Sequence, residues 1–212
     1  MRYIKNKFFI EGKKIENLTK KFNTPLYCYS YKNLRENVDN FKKAFKEIKP
    51  LICFSVKSNS NISLLKEIKK LGLGADVVSK GELYASLKAG IDKNKIVFSG
   101  VGKTRDEIEY AIKQKILLIN SESLSEVLAI EAAAKKLNKV VDIGLRLNPD
   151  TDAETLKQIS TGKSENKFGV DKKTFVKIIN LMKQSKFINI KCLSVHICLL
   201  YTSPSPRDIR WS

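Results

Sequence analysis

The chain lacks the sequence marks of several common functions. No Gly-x-Gly-x-x-Gly occupies its first strand-to-helix turn, which reads "VKSNSN", so a dinucleotide fingerprint is excluded. No Walker-type loop occurs either. The nearest approach, "SGVGKT" at 99–104, has no leading glycine and the wrong spacing, and reads as an ordinary strand–helix turn. The four cysteines, Cys28, Cys53, Cys192 and Cys198, form no Cys-x-x-Cys and no cysteine–histidine pair at metal-ligand spacing. No metal is therefore expected. Three of them lie in apolar runs, as buried free thiols of a reducing cytoplasm do. The opening "MRYIKNKFFIEGKK" has no apolar core of signal-peptide length, and no run has membrane length. A soluble, cytoplasmic protein with no membrane partner is expected.

Negative charge is also scarce. Lys+Arg 40 against Asp+Glu 22 leaves a formal net charge of +18, which by itself invites a nucleic-acid reading. The lysines, however, are spread along the chain on polar faces such as that of "LLKEIKKLG", with no arginine-rich arm or recognition motif. Abundant Ile and Asn share A/T-rich codons with Lys, so coding bias accounts for the charge as well as a function does. No nucleic-acid partner is expected. A composition 42% hydrophobic and 29% charged is globular, and 212 residues suffice for a sizeable core.

What is present is alternation. Short apolar runs at 51–56, 75–78, 96–99, 116–119, 140–147 and 190–196 read as strands. Between them, "ISLLKEIKKLG", "KGELYASLKAG", "RDEIEYAIKQK", "SLSEVLAIEAAAKKLN" and "KKTFVKIINLMKQS" have the apolar spacing of amphipathic helices. Gly72 and Gly90 fall where helix C-caps belong. Repeated strand–helix units imply a parallel sheet with right-handed crossovers. Six units fit an open doubly wound sheet or part of a (β/α)8 barrel, and the missing dinucleotide fingerprint favours the barrel. Catalytic groups of a barrel gather at the C-terminal strand ends, which here carry Lys57, Ser79, Asn120, Arg146 and His196.

The stretches "FSVKSN", "LGLGADVVSKGELYASLKAG", "LRLNP", "ISTGKSENKFGV" and "SVHI", led in by "NTPLYCYS", stand in a familiar order and spacing. Over about 24–196 the chain resembles the pyridoxal-phosphate decarboxylases of the alanine-racemase-like barrel class, and among them most the diaminopimelate decarboxylases. The resemblance implies pyridoxal 5′-phosphate as cofactor, bound as a Schiff base by Lys57, whose amine must be neutral to react and is expected to be desolvated at the barrel mouth. It also implies His196 against a face of the pyridine ring, Arg146 in the polar network around the cofactor, and Asp76 as a carboxylate near the lysine. Each has a plainer reading: a solvated strand-end lysine, a satisfied imidazole, a salt bridge inside the barrel, a turn carboxylate. Glu82 fits equally as a first-turn helix carboxylate and is left out.

The same resemblance sets the domain expectations: an N-terminal arm at 1–30, a partial cofactor-binding barrel at 31–197 with about six of eight strand units, and a foreign tail at 198–212. Where the family continues "HIGSQ", this chain runs "HICLLYTSPSPRDIRWS", which back-translates to something like a library adaptor. The family's phosphate cup, pyridine-facing acid, C-terminal β-domain and catalytic cysteine are expected beyond the chain. The implied function is decarboxylation of meso-2,6-diaminopimelate to L-lysine and CO2 by a homodimeric full-length protein acting on a small amino acid. The alternatives are a related decarboxylase of ornithine, arginine or carboxynorspermidine, and a non-catalytic cofactor-binding half-barrel.

Overall fold

The computed structural model describes residues 2–148 and 168–196. The chain divides by compactness into two units, residues 1–51 and 52–212. The first contains an antiparallel sheet of β1 (Arg2–Ile4), β2 (Lys7–Ile10) and β3 (Lys13–Lys14), followed by α1 (Ile15–Phe22) and α2 (Tyr31–Ala44). Its two hairpins turn on Lys5-Asn6 (φ 48° and 58°) and Glu11-Gly12 (φ 48° and 78°). Paired left-handed residues in a two-residue loop match the right-handed twist of the flanking strands. The expected arm therefore holds a small sheet. Glu11 also closes the start of α2. Its carboxylate accepts Ser30 Oγ at 2.7 Å and the Lys32 N–H at 2.6 Å. The Lys32 amide, then the Ser30 hydroxyl, hold its pKa below the usual carboxylate range.

The second unit is a parallel sheet in the order β4 (Cys53–Ser55), β5 (Gly74–Val77), β6 (Ile96–Phe98), β7 (Leu118–Ser121), β8 (Val141–Arg146) and β9 (Ile188–Ser194). The helices α3 (Ile62–Lys70), α4 (Lys80–Lys88), α5 (Arg105–Gln114), α6 (Leu124–Leu137) and α7 (Lys172–Met182) alternate with the strands. Spatial order equals chain order, and α3 to α6 pack each on the next. A doubly wound sheet reverses direction and covers both faces, whereas a barrel winds one way. This unit is six strand units of a (β/α)8 barrel.

Alternation along the strands divides the sheet's two faces. Ala75, Val77, Ile96, Phe98, Ile119, Ile143 and Leu145 are at most 1% exposed and pack with Leu65, Ile68, Leu83, Ile108, Ile130 and Ile178 of the helices. Each large side chain of this set contributes roughly 1.5–3 kcal/mol of burial. The opposite face carries Ser55, Asp76, Val97, Asn120 and Arg146, all half-buried. Polarity lies on the face where a barrel keeps its site.

The helix ends follow their caps. Asn61, Ser79, Thr104, Ser123 and Asp171 each accept a first-turn N–H, with a full capping box at Thr104–Glu107. At the other end Gly72 (φ 76°) and Gly90 (φ 83°) take the left-handed position. The bonds Leu73 N–H to Ile68 O and Gly72 N–H to Lys69 O complete a Schellman motif, repeated by Ile91 to Ser86 and Gly90 to Leu87.

Several boundaries differ from the sequence expectation. The run 51–56 yields a strand only at Cys53–Ser55, and Val56–Ser58 tightens into one 3-10 turn. The strand expected at 116–119 lies two residues later, and that expected at 190–196 starts and ends two residues earlier. Hydrogen-bond pairing with neighbours sets these ends, and a short apolar run does not encode it. The tail 198–212 lies outside the described residues.

Candidate active site

The strand ends of the barrel unit bring the expected residues to one rim. Lys57 sits in the 3-10 turn directly after β4, Asp76 on β5, Arg146 at the end of β8, and His196 just past β9. His196 is exposed on this rim, and its surroundings define the site. Desolvation lowers its pKa below the ordinary imidazole value. The cations of Arg146 and Lys57 lower it further, while Glu122 and Asp76 act the other way. These five groups therefore share one electrostatic neighbourhood, and its balance favours a neutral ring.

Lys57 departs from expectation in one respect. Its side chain is exposed, so the described residues do not supply the desolvation anticipated for its amine. The cause is local: the chain leaves the sheet before Lys57, and the 3-10 turn carries the side chain off the half-buried strand. The small residues after it serve the turn and the helix start. Ser58 Oγ donates to Ser55 O at 2.7 Å, and Asn61 Oδ1 caps α3 through the Ser63 N–H at 2.9 Å.

Two polar networks fix the rim. In the first, Asn120 Nδ2 donates to Ser99 Oγ at 3.1 Å and Ser99 donates to Asp76 Oδ1 at 2.5 Å, joining β7, the end of β6 and β5. In the second, Arg146 Nη1 donates to Glu122 Oε2 at 2.8 Å, with the two side chains only 16% and 4% exposed. The Glu122 N–H donates to Glu126 Oε2 at 2.8 Å, and Glu126 Oε1 accepts Lys103 Nζ at 2.6 Å. Arg146 also lies 5.9 Å from the Phe168 ring centroid, and Val170 N–H donates to Arg146 O at 2.8 Å. Phe168, Gly169 and Val170 thus return along β8 at the base of Arg146. Residues 159–167 of "ISTGKSENKFGV" lie outside the described residues.

Sequence reading set Lys57, Ser79, Asn120, Arg146 and His196 at the strand ends, and the resemblance added Asp76; Lys57, Arg146 and His196 lie at or just past the ends of β4, β8 and β9, with Asp76 and Asn120 on β5 and β7. Ser79 lies just past the end of β5, where its hydroxyl accepts the Glu82 N–H at 3.2 Å as the α4 cap. Glu82 accepts the Val78 N–H at 2.9 Å, the part of a helix-start carboxylate. Ser99, Lys103, Glu122 and Glu126 were missed. In "SGVGKT" Lys103 is 1% exposed and bonds Gly100 O, Asn120 O and Glu126, so its amine serves the turn rather than a nucleotide. The signal that marks Glu126 as a helix-start carboxylate is "SLSE", which repeats the Ser-x-x-Glu pattern of "SKGE" two strands further on, whereas Glu122 carries no such mark.

Among the described residues no group of three metal-ligating side chains forms. The donor set fits a pyridoxal group instead. It offers an exposed primary amine for an aldehyde, an imidazole held neutral for packing on a ring, and an arginine–carboxylate pair beside it.

A family model described as "Pyridoxal-dependent decarboxylase, pyridoxal binding domain" matches residues 31–202. The chain is 45% identical over 182 residues to a diaminopimelate decarboxylase of Helicobacter pylori strain J99, covering 86% of this chain and 45% of the relative. The crystal structure of diaminopimelate decarboxylase from M. jannaschii superposes with a TM-score of 0.86 at 34% identity, covering 92% of this chain and 47% of that one. That from Helicobacter pylori complexed with L-lysine gives 0.83 at 43% identity, covering 87% and 47%. The chain spans about half the length of the relatives it matches.

Proposed function

This chain belongs to the pyridoxal-dependent decarboxylases, and we propose that it serves the decarboxylation of meso-2,6-diaminopimelate to L-lysine and CO2. The observation that carries the reading is the meeting of Lys57, Asp76, Arg146, Glu122 and His196 in one electrostatic neighbourhood on the barrel rim. The identity to diaminopimelate decarboxylases, one of them solved with L-lysine, supports the choice of substrate.

Lys57 would hold the aldehyde of pyridoxal 5′-phosphate through its amine. His196, kept neutral, would pack on the face of the ring, while Arg146 and Asp76 supply polar contacts around it. Bound there, the cofactor supplies an electron sink for the pair left when the α-carboxylate departs as CO2. The side chains of this rim position and neutralise. Ser99 holds the Asp76 carboxylate, Glu122 holds the Arg146 guanidinium, and neither needs to move a proton during turnover. The proposal includes a homodimer in the cytoplasm, acting on a small amino acid with no nucleic-acid or membrane partner. No helix among the described residues is long and apolar enough to cross a membrane.

The test is CO2 release by the protein expressed from its genomic locus and loaded with cofactor. Release from meso-diaminopimelate, lost in Lys57→Ala, is the expected result. Preference for ornithine, arginine or carboxynorspermidine would move the assignment to a related decarboxylase. Cofactor binding with no CO2 from any of them would make the barrel a non-catalytic binding module.

A further inference from the structure

The pair Glu122–Arg146 is more deeply enclosed than any other rim contact except Lys103–Glu126, and the two pairs are joined. Glu122 is 6% exposed and lies directly after β7, one strand away from the arginine it binds. Its own N–H is held by Glu126, whose second oxygen holds Lys103. Lys103 in turn donates to Asn120 O on β7 and to Gly100 O after β6. The charges cancel within the network: two carboxylates, one guanidinium and one ammonium. A carboxylate enclosed to this degree requires its cation, and the cation is thereby fixed in place. Arginine suits the task because its planar fork leaves donors free after one nitrogen is engaged.

We propose that Glu122 is a positioning residue: it anchors the Arg146 guanidinium beside His196, so that the arginine and the ring face a bound cofactor in a fixed relation. The inference rests on the decarboxylase reading for its purpose, but its geometry stands apart from it. Arg146 has one carboxylate partner among the described ion pairs, Glu122, and a second soft contact, the Phe168 ring at 5.9 Å. Without the carboxylate, the aromatic contact is the only side-chain contact among the described residues that restrains a long and flexible side chain. The guanidinium then moves to solvent, and His196 loses its strongest cationic neighbour.

The chain has a single histidine, so the imidazole can be followed by NMR in the cofactor-free protein, with His196→Gln to assign its signal. The sign of the change separates positioning from charge alone. If Glu122→Gln leaves Arg146 in place, the ring loses an anion that favours its protonated form, and its titration midpoint falls. If Arg146 leaves, the ring loses a cation of larger influence than that anion, and the midpoint rises. The expected result is a rise, accompanied by about tenfold weaker cofactor binding, the scale on which outer partners of a site act. Glu122→Asp keeps the charge but is one methylene too short, and serves where the glutamine variant does not fold. With the anion kept, it should give a rise at least as large. An unchanged or lowered midpoint in the folded variants overturns the proposal. That result leaves the decarboxylase reading intact, because the titration needs neither cofactor nor turnover. Conversely, a raised midpoint in a protein that releases no CO2 would retain the anchor and reject the reaction.

Discussion

Ser99 gives its one hydroxyl hydrogen to Asp76, Oγ to Oδ1 at 2.5 Å, and is left able only to accept from Asn120 Nδ2 at 3.1 Å. A hydroxyl has a single proton, so this relationship fixes the orientation of the Asn120 amide as well. Its Oδ1 is then turned into a buried position with no hydrogen-bond partner among the described residues, against the bare Cα of Gly144. Ser99→Ala removes a charge-assisted bond and leaves both neighbours short of a partner. The expected cost is about 1.5–3 kcal/mol of stability, read from the urea midpoint. A midpoint equal to that of the parent would show that solvent satisfies Asp76 and that the relay has no structural role.

The packing beneath that amide gives a second expectation. A Cβ added at Gly144 would fall on Asn120 Oδ1, and one added at Gly74 would fall on the Lys95 carbonyl with Cys53 Sγ 2.8 Å away. The two clashes differ in kind. Lys95 O belongs to the backbone and cannot rotate aside, so Gly74→Ala must shift β5 against its neighbour, at about 1–3 kcal/mol. Asn120 can swing away, but doing so breaks its bond to Ser99. Gly144→Ala and Asn120→Ala should therefore be strongly non-additive, with a coupling of roughly 0.5–3 kcal/mol in a double-mutant cycle. Additive costs would mean that the alanine is accommodated without moving the amide.

Much of this barrel is legible in the sequence because its punctuation is local. Gly72 and Gly90 announce helix ends through their left-handed φ, and the strand runs announce burial on the helix-covered face. Lys57, Arg146 and His196 could be placed because each lies at or near the end of such a run, whereas Asp76 was reached through the family resemblance. The misses share one cause, which is that pairing across the fold leaves no mark on a single stretch. Glu122 and Glu126 look like ordinary helix-start acids until β8 brings Arg146 alongside. Lys103 looks solvated until α6 places Glu126 above it. In the N-terminal unit the turns use Lys5-Asn6 and Glu11-Gly12, in which only Gly12 and, more weakly, Asn6 favour a left-handed φ. The hairpins were hidden behind lysine-rich strands with little alternation.

Cys53 offers a pH-dependent check. Its thiol pKa is pushed up from 9.0 to about 11, first by desolvation and then by the Asp76 carboxylate. The unfolded chain thus loses the proton at lower pH than the folded one. The contribution to stability is full below pH 9.0 and is lost as pH rises toward about 11. Cys53→Ala or Cys53→Ser should flatten the alkaline limb of the stability profile. The thiol should also react slowly with iodoacetamide near neutrality, since the thiolate is the nucleophile. Rapid native-state labelling of Cys53, located by peptide mapping, would contradict this.

The cofactor lysine can be identified chemically, and the structure separates the candidates. Lys103 is 1% exposed and donates to Gly100 O, Asn120 O and Glu126 Oε1, so no aldehyde reaches its nitrogen without dismantling the turn. Lys80 is reachable, but its hydrogen bond to Asp106 at 2.6 Å holds its amine in the charged form, with a raised pKa. That ion pair would have to break before the Lys80 nitrogen could reach an aldehyde. Lys57 is exposed, follows directly on a strand of the barrel, and shares its neighbourhood with the neutral ring of His196. Reduction of the cofactor-loaded protein with borohydride should therefore place the pyridoxyl group on Lys57, and Lys57→Ala should abolish the label without changing the stability read from urea unfolding by more than about 0.5 kcal/mol, as for an exposed side chain outside the core. Label on Lys80 or Lys103, or an undiminished yield from Lys57→Ala, would move the site away from the end of β4.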